Sequence, residues 1–149
     1  MWSSTLRTGF VISILLVLLV ACSGCTGANS ASSNATMGFS DLTAEQFKQK
    51  IDEFHDRPSD LVILDVRTPT EFERERLRDA VNLDVSAGVF RDRAARLDRD
   101  RTYLIYCQIG TRSANAASIM ADLGFSKVFN MKGGIVKWKE AGNPTVKGT

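Results

Sequence analysis

One histidine, His55, and three cysteines, Cys22, Cys25 and Cys107, are all the imidazole and thiol side chains in 149 residues. A lone imidazole gives no ligand cluster, so no metal site is expected, and three unevenly spaced thiols cannot make a disulfide framework. Charge of one sign is also missing. The formal net charge is +2, and acids and bases interleave from Glu71 to Arg101, so no basic face for nucleic acid is expected. No long apolar run is present either. The longest, Phe10 to Ala21, has about twelve residues, short for a membrane span but suited to a signal-peptide core. No internal repeat is visible.

The N-terminus reads as an export signal followed by a spacer. Leu19-Val20-Ala21-Cys22 resembles the lipobox of prokaryotic lipoproteins, which implies that Cys22 becomes the lipidated first residue after cleavage. Acyl chains buried at about 0.8 kcal/mol per methylene would hold the chain on a membrane. Residues 1–21 are then a signal peptide and 22–37 a tether of Ser, Ala, Gly, Asn and Thr, with a reach on the order of 20 Å. The expected location is the cell envelope or periplasm. Cys22-Ser23-Gly24-Cys25 has a redox-like spacing, but it lies between a signal core and a linker rather than between a strand and a helix.

From Gly38 to Thr149 the pattern alternates, as one α/β domain. Thr43 and Gln46 have the spacing of a capping box, with Phe47 and Ile51 on one face of a helix of about ten residues. Leu61 to Val66 is an aliphatic run, the mark of a strand buried on both faces. Thr68-Pro69-Thr70-Glu71 opens a short helix. Ala80 to Leu83 reads as a strand, Val89 to Leu97 as a charged helix, and Thr102 to Tyr106 as a strand. Ser113 to Leu123 reads as a helix stopped by Gly124, with Ala114, Ala117 and Ala121 toward the sheet. Val128 to Met131 is a strand and Gly133-Gly134 opens a last helix. Such alternation predicts a mainly parallel sheet covered by helices on both faces, with its site at the strands' carboxyl ends.

Cys107 falls at such an end. It stands between Tyr103-Leu104-Ile105-Tyr106 and the alanine-rich helix, so unpaired N–H groups at the helix start favour its thiolate. Gly110 permits a nest of inward N–H groups, and Thr111 offers a hydroxyl. Arg112, a cation in the helix's first turn, opposes the helix dipole. With no acid in the loop, its expected counter-charges are the thiolate and an anionic substrate. Asp65 and Arg67 end a strand and are expected in an ion-pair network with Glu71 that braces the loop.

Taken in order, Leu64-Asp65-Val66-Arg67 with Glu71-Phe72, Ala80-Val81-Asn82-Leu83, Cys107-Gln108-Ile109-Gly110-Thr111-Arg112, and Gly133-Gly134 with Trp138 resemble the rhodanese-like domain family. The resemblance runs from about Phe39 to Lys147. It implies a five-stranded, mainly parallel sheet and a sulfurtransferase that needs no cofactor. Cys107 would take sulfane sulfur from thiosulfate or a related small anionic donor and pass it, as a persulfide, to a thiol, cyanide or a protein acceptor. Arg112 would bind the anion with Gln108, Ile109, Gly110 and Thr111. Related phosphatase domains have five residues between cysteine and arginine. The four here favour sulfur over phosphatase or arsenate reductase chemistry, and a non-catalytic binding module is the alternative. The family's usual Gly-His-Ile is replaced around Glu75-Arg76-Leu77-Arg78-Asp79, with Arg76 in place of the histidine and Asp79 in place of a turn glycine.

Overall fold

A computed structural model describes residues 38–148. The expected signal segment, Cys22, Cys25 and the tether therefore lie outside the described residues. Within them, five strands form one sheet: β1 (Ser40–Leu42), β2 (Leu61–Asp65), β3 (Ala80–Asn82), β4 (Thr102–Tyr106) and β5 (Val128–Met131), in the order β1-β5-β4-β2-β3. All four pairings are parallel. The centre is β4, whose five residues are all buried, because an uninterrupted apolar run satisfies both faces of a covered strand.

Alternation along β4 sends its side chains to two cores. Tyr103 and Ile105 pack with Leu64 against Ala116, Ala117 and Met120 of α4 (Thr111–Asp122) and Phe90 and Ala94 of α3 (Phe90–Ala94). Leu104 and Tyr106 pack with Ile63 against Ala44 and Phe47 of α1 (Ala44–Glu53) and Ile135 and Trp138 of α5 (Gly134–Glu140). Thr43 caps α1 reciprocally: its Oγ1 accepts from Gln46 N at 3.3 Å, and Gln46 Oε1 accepts from Thr43 N at 2.9 Å. Trp138 is a core anchor, edge-on to Phe47 at 6.2 Å, with its Nε1 donating to Pro144 O at 2.9 Å.

Four local expectations change. The edge strand β1 has three residues, of which only Leu42 is apolar, too little periodicity to be seen before its pairing with β5 is known. Regular helix α3 stops at Ala94 rather than Leu97, because the chain tightens into i→i+3 bonds, Arg96 N to Arg93 O and Leu97 N to Ala94 O. Helix α4 begins at Thr111, two residues earlier than expected. Its buried face is Ser113, Ala116, Ala117 and Met120, the i, i+3, i+4, i+7 row of one helical stripe; of the expected Ala114, Ala117 and Ala121, only Ala117 lies on it.

Candidate active site

β4 ends directly before Cys107, whose residue surface is fully buried. Gly110 N donates to its Sγ at 3.1 Å, and the Ser113 hydroxyl lies 3.4 Å from Sγ. Burial pushes the thiol pKa up, but the Ser113 hydroxyl and the N–H groups of Ser113, Ile109 and Gly110 outweigh it, leaving the group below an ordinary thiol. Gly110 makes this cradle possible. It caps α4 at φ +96°, and a Cβ there would stand 2.9 Å from Gly133 N, so a side chain would be strained twice over.

The loop is held from behind by α5. Ile135 N donates to Cys107 O at 2.9 Å and Val136 N to Gln108 O at 3.3 Å, so two loop carbonyls are bonded to the start of a helix and their peptides are fixed. Gly134, at φ +57°, lets the helix approach, since a Cβ there would collide with both carbonyls. The Gly133-Gly134 pair thus serves the Cys107 loop directly.

Arg112 does not lack a carboxylate. Its Nη1 and Nη2 donate to Glu71 Oε2 and Oε1 at 2.9 and 2.7 Å, across 41 residues of sequence. This corrects the expectation that only the thiolate and a bound anion balance it. The Arg112 pairing draws the Glu71 carboxyl down to about 2, against a smaller opposing effect of burial. Glu71 belongs to α2 (Pro69–Arg74), where it also completes a capping box: its Oε2 accepts from Thr68 N at 3.0 Å and Thr68 Oγ1 at 2.9 Å. A local cap and a distant ion pair share one carboxylate.

Asp65 and Arg67 pair with each other rather than with Glu71. Both are buried, with Arg67 Nη2 2.6 Å from Asp65 Oδ2 and Arg67 N donating to Asp65 Oδ1 at 2.9 Å. Arg67 Nη1 reaches Gln108 Oε1 at 3.5 Å, and its Nη2 also donates to the Glu75 carbonyl, so the pair touches the Cys107 loop from the side. Its guanidinium lies 5.6 Å from the centre of the Tyr106 ring, whose phenol is pushed up chiefly by burial. Asn82, which sequence reasoning did not single out, locks this corner by donating to Asp65 O at 3.0 Å and Arg67 O at 2.8 Å.

The remaining expected residues take different positions. Gln108, Ile109 and Thr111 are exposed, with Ile109 at 60% the most exposed large apolar side chain among the described residues. The hydroxyl at the sulfur belongs to Ser113, two residues beyond Thr111 and overlooked because it reads as an ordinary helix residue. Arg76 lies over the Phe72 ring at 4.7 Å and pairs through its backbone with Val146. Asp79 adopts φ +60°, the left-handed turn conformation of a glycine, which aspartate tolerates better than most residues. His55 is exposed near the end of α1.

This arrangement can hold a thiolate among fixed donors at the carboxyl edge of a parallel sheet. Comparison with known proteins agrees with the geometry. A family model described as a rhodanese-like domain matches residues 43–141. A sulfurtransferase of Allochromatium vinosum is 33% identical over 87 residues, 58% of this chain and 79% of that protein. The thiosulfate sulfurtransferase GlpE of Coxiella burnetii is 31% identical over 86 residues, 58% of this chain and 78% of that protein. The crystal structure of a rhodanese-related protein from Thermoplasma volcanium superposes with a TM-score of 0.61 at 29% identity, over 72% of this chain and 97% of that one. From its fold, its cysteine loop and these relatives, the chain belongs to the rhodanese-like domain family.

Proposed function

We propose that the protein is a sulfurtransferase in which Cys107 carries sulfane sulfur between a small anionic donor and a thiol, cyanide or protein acceptor. The observation that carries this reading is the cradle around Cys107: a buried sulfur with Gly110 N at 3.1 Å and the Ser113 hydroxyl at 3.4 Å, and a pKa drawn below that of a free thiol. The thiolate attacks the outer sulfur of a thiosulfate-type donor. A bond forms from Sγ to that sulfur, the donor's sulfur–sulfur bond breaks, and the bonding pair leaves with sulfite. The resulting persulfide anion then yields its outer sulfur to the acceptor, regenerating the thiolate. The loop N–H groups stabilise negative charge on Sγ and its attached sulfur throughout, being fixed in place before reaction. Arg112 keeps N–H groups beside the loop for the donor's oxygens. Gln108, Ile109, Gly110 and Thr111 form the donor's surroundings, and Asp65 and Arg67 hold the loop's shape.

Intact-mass measurement of the full chain after incubation with thiosulfate tests the chemistry. A gain of one sulfur atom that is absent in Cys107→Ser is expected. No adduct with any sulfane-sulfur donor would leave an anion- or partner-binding module instead.

The same proposal places the domain, residues 38–149, outside the cytoplasm on a membrane. Leu19-Val20-Ala21-Cys22 supports it as a lipoprotein processing sequence, with Cys22 the lipidated residue and 22–37 the tether. Tethering raises local concentration, which suits a membrane-associated sulfur acceptor. Fatty-acid labelling of the chain in bacteria, lost in Cys22→Ala, is the expected result, and unlabelled wild-type chain would exclude lipidation.

A further inference from the structure

We infer that Glu71 is a positioning residue that sets the charge of the sulfur donor, directing the Cys107 loop toward donors with a single negative charge, such as organic thiosulfonates and hydropersulfides, over dianionic thiosulfate. The inference rests on the sulfurtransfer reading above and deepens it.

The two guanidiniums at the loop are both already matched. Glu71 faces Arg112 through two short hydrogen bonds, 2.9 and 2.7 Å, and Asp65 matches Arg67 at 2.6 Å. Neither guanidinium therefore brings an unbalanced charge to an incoming donor. Nor is Glu71 free to swing aside, because Thr68 N and Thr68 Oγ1 hold its Oε2 at 3.0 and 2.9 Å as part of the α2 cap. Moving the carboxylate away from Arg112 would mean breaking both the ion pair and the cap. What remains positive is the start of α4 and the loop N–H groups, equivalent to about half a charge. That suits one thiolate. A donor with two negative charges adds to it without an unpaired guanidinium, whereas a donor with one negative charge meets about half of that repulsion.

The chemical step is the same for both donor classes. The Sγ thiolate forms a bond to the terminal sulfur, the sulfur–sulfur bond breaks, and the electron pair departs on sulfite from thiosulfate or on a sulfinate from a thiosulfonate. Charge balances in both cases, with the persulfide anion replacing the thiolate. The donors differ in total charge and in leaving group, but the leaving-group difference is the same in every variant, so a change in the ratio of the two rates reads Glu71's electrostatic effect and cancels losses common to both.

The test compares kcat/KM for thiosulfate and for methanethiosulfonate in the full chain, in wild type, Glu71→Gln and Glu71→Asp. Glutamine also serves in a capping box, so the fold is expected to persist, and aspartate keeps the charge. The thiosulfate-to-methanethiosulfonate ratio should rise about tenfold in E71Q and stay near wild type in E71D. The rise should shrink at high salt. A ratio that is unchanged in E71Q, or that moves equally in E71D, overturns the inference and makes Glu71 a brace only. Alkylation of Cys107 supplies a readout independent of sulfur transfer: the iodoacetate-to-iodoacetamide rate ratio should rise in E71Q. If neither donor forms a persulfide on wild type, the sulfurtransfer reading fails, and the alkylation ratio alone decides whether Glu71 controls the charge that the thiol presents.

Discussion

Two carboxylate–guanidinium pairs flank the Cys107 loop, and they differ in burial and in sequence separation. Asp65 and Arg67 are two residues apart with side chains 0% and 3% exposed, whereas Glu71 and Arg112 are 41 residues apart and 28% and 31% exposed. Water reaches only the second. A buried pair contributes little net stability, since the Coulomb attraction mainly offsets desolvation, but losing one partner strands a charge in a poorly solvated place. A half-exposed pair is screened and survives such loss cheaply. The first pair therefore has the character of a brace, while the second can be altered without unfolding the domain and so can tune the charge beside the thiol.

The largest expected effect breaks the brace. Asp65→Ala leaves Arg67 buried without its carboxylate and should cost about 3–5 kcal/mol of stability, measured as a fall in the urea midpoint. A loss no larger than that of Glu71→Ala would end the distinction between the pairs. Next, Ser113→Ala removes a donor to the sulfur but touches neither pair. It should raise the Cys107 pKa, read as an upward shift in the pH midpoint of alkylation with little change in unfolding. Smallest is the acid limb of stability. Glu71 is held near 2 by Arg112, so its contribution is complete above about pH 5 and is lost as the pH falls through 2. With solvent screening that contribution is about 1 kcal/mol, and Glu71→Gln should flatten the decline of the urea midpoint between pH 5 and 2 by that amount.

Much of the architecture was legible because it depends on neighbours in sequence. Leu61 to Asp65 and Thr102 to Tyr106 are apolar enough to be central strands, and the capping spacing of Thr43 and Gln46 marks the start of α1. Cys107 announced itself as a thiol between a strand and a helix. β1 was hidden because its three residues carry almost no pattern until β5 supplies a partner. Ser113 was hidden because a serine in a first helical turn looks the same whether it faces water or a sulfur. The partner of Arg112 was hidden for a related reason: its counter-charge comes from outside the loop, from Glu71 on another helix.

By itself the sequence determined the alternating strands and helices, the Cys107 turn with Gly110 able to open it, and the resemblance to a family. These follow from hydrophobic period, caps and backbone freedom, all of which act over a few residues. Only the tertiary structure decided which carboxylate meets which arginine, that Gly134 must be bare for α5 to hold the Cys107 and Gln108 carbonyls, and that Ser113 reaches the sulfur. Those relations depend on distance in space. Hydrogen bonds and ion pairs form at about 3 Å whatever the separation along the chain, and the parallel crossovers bring together segments as far apart as Glu71 and Arg112.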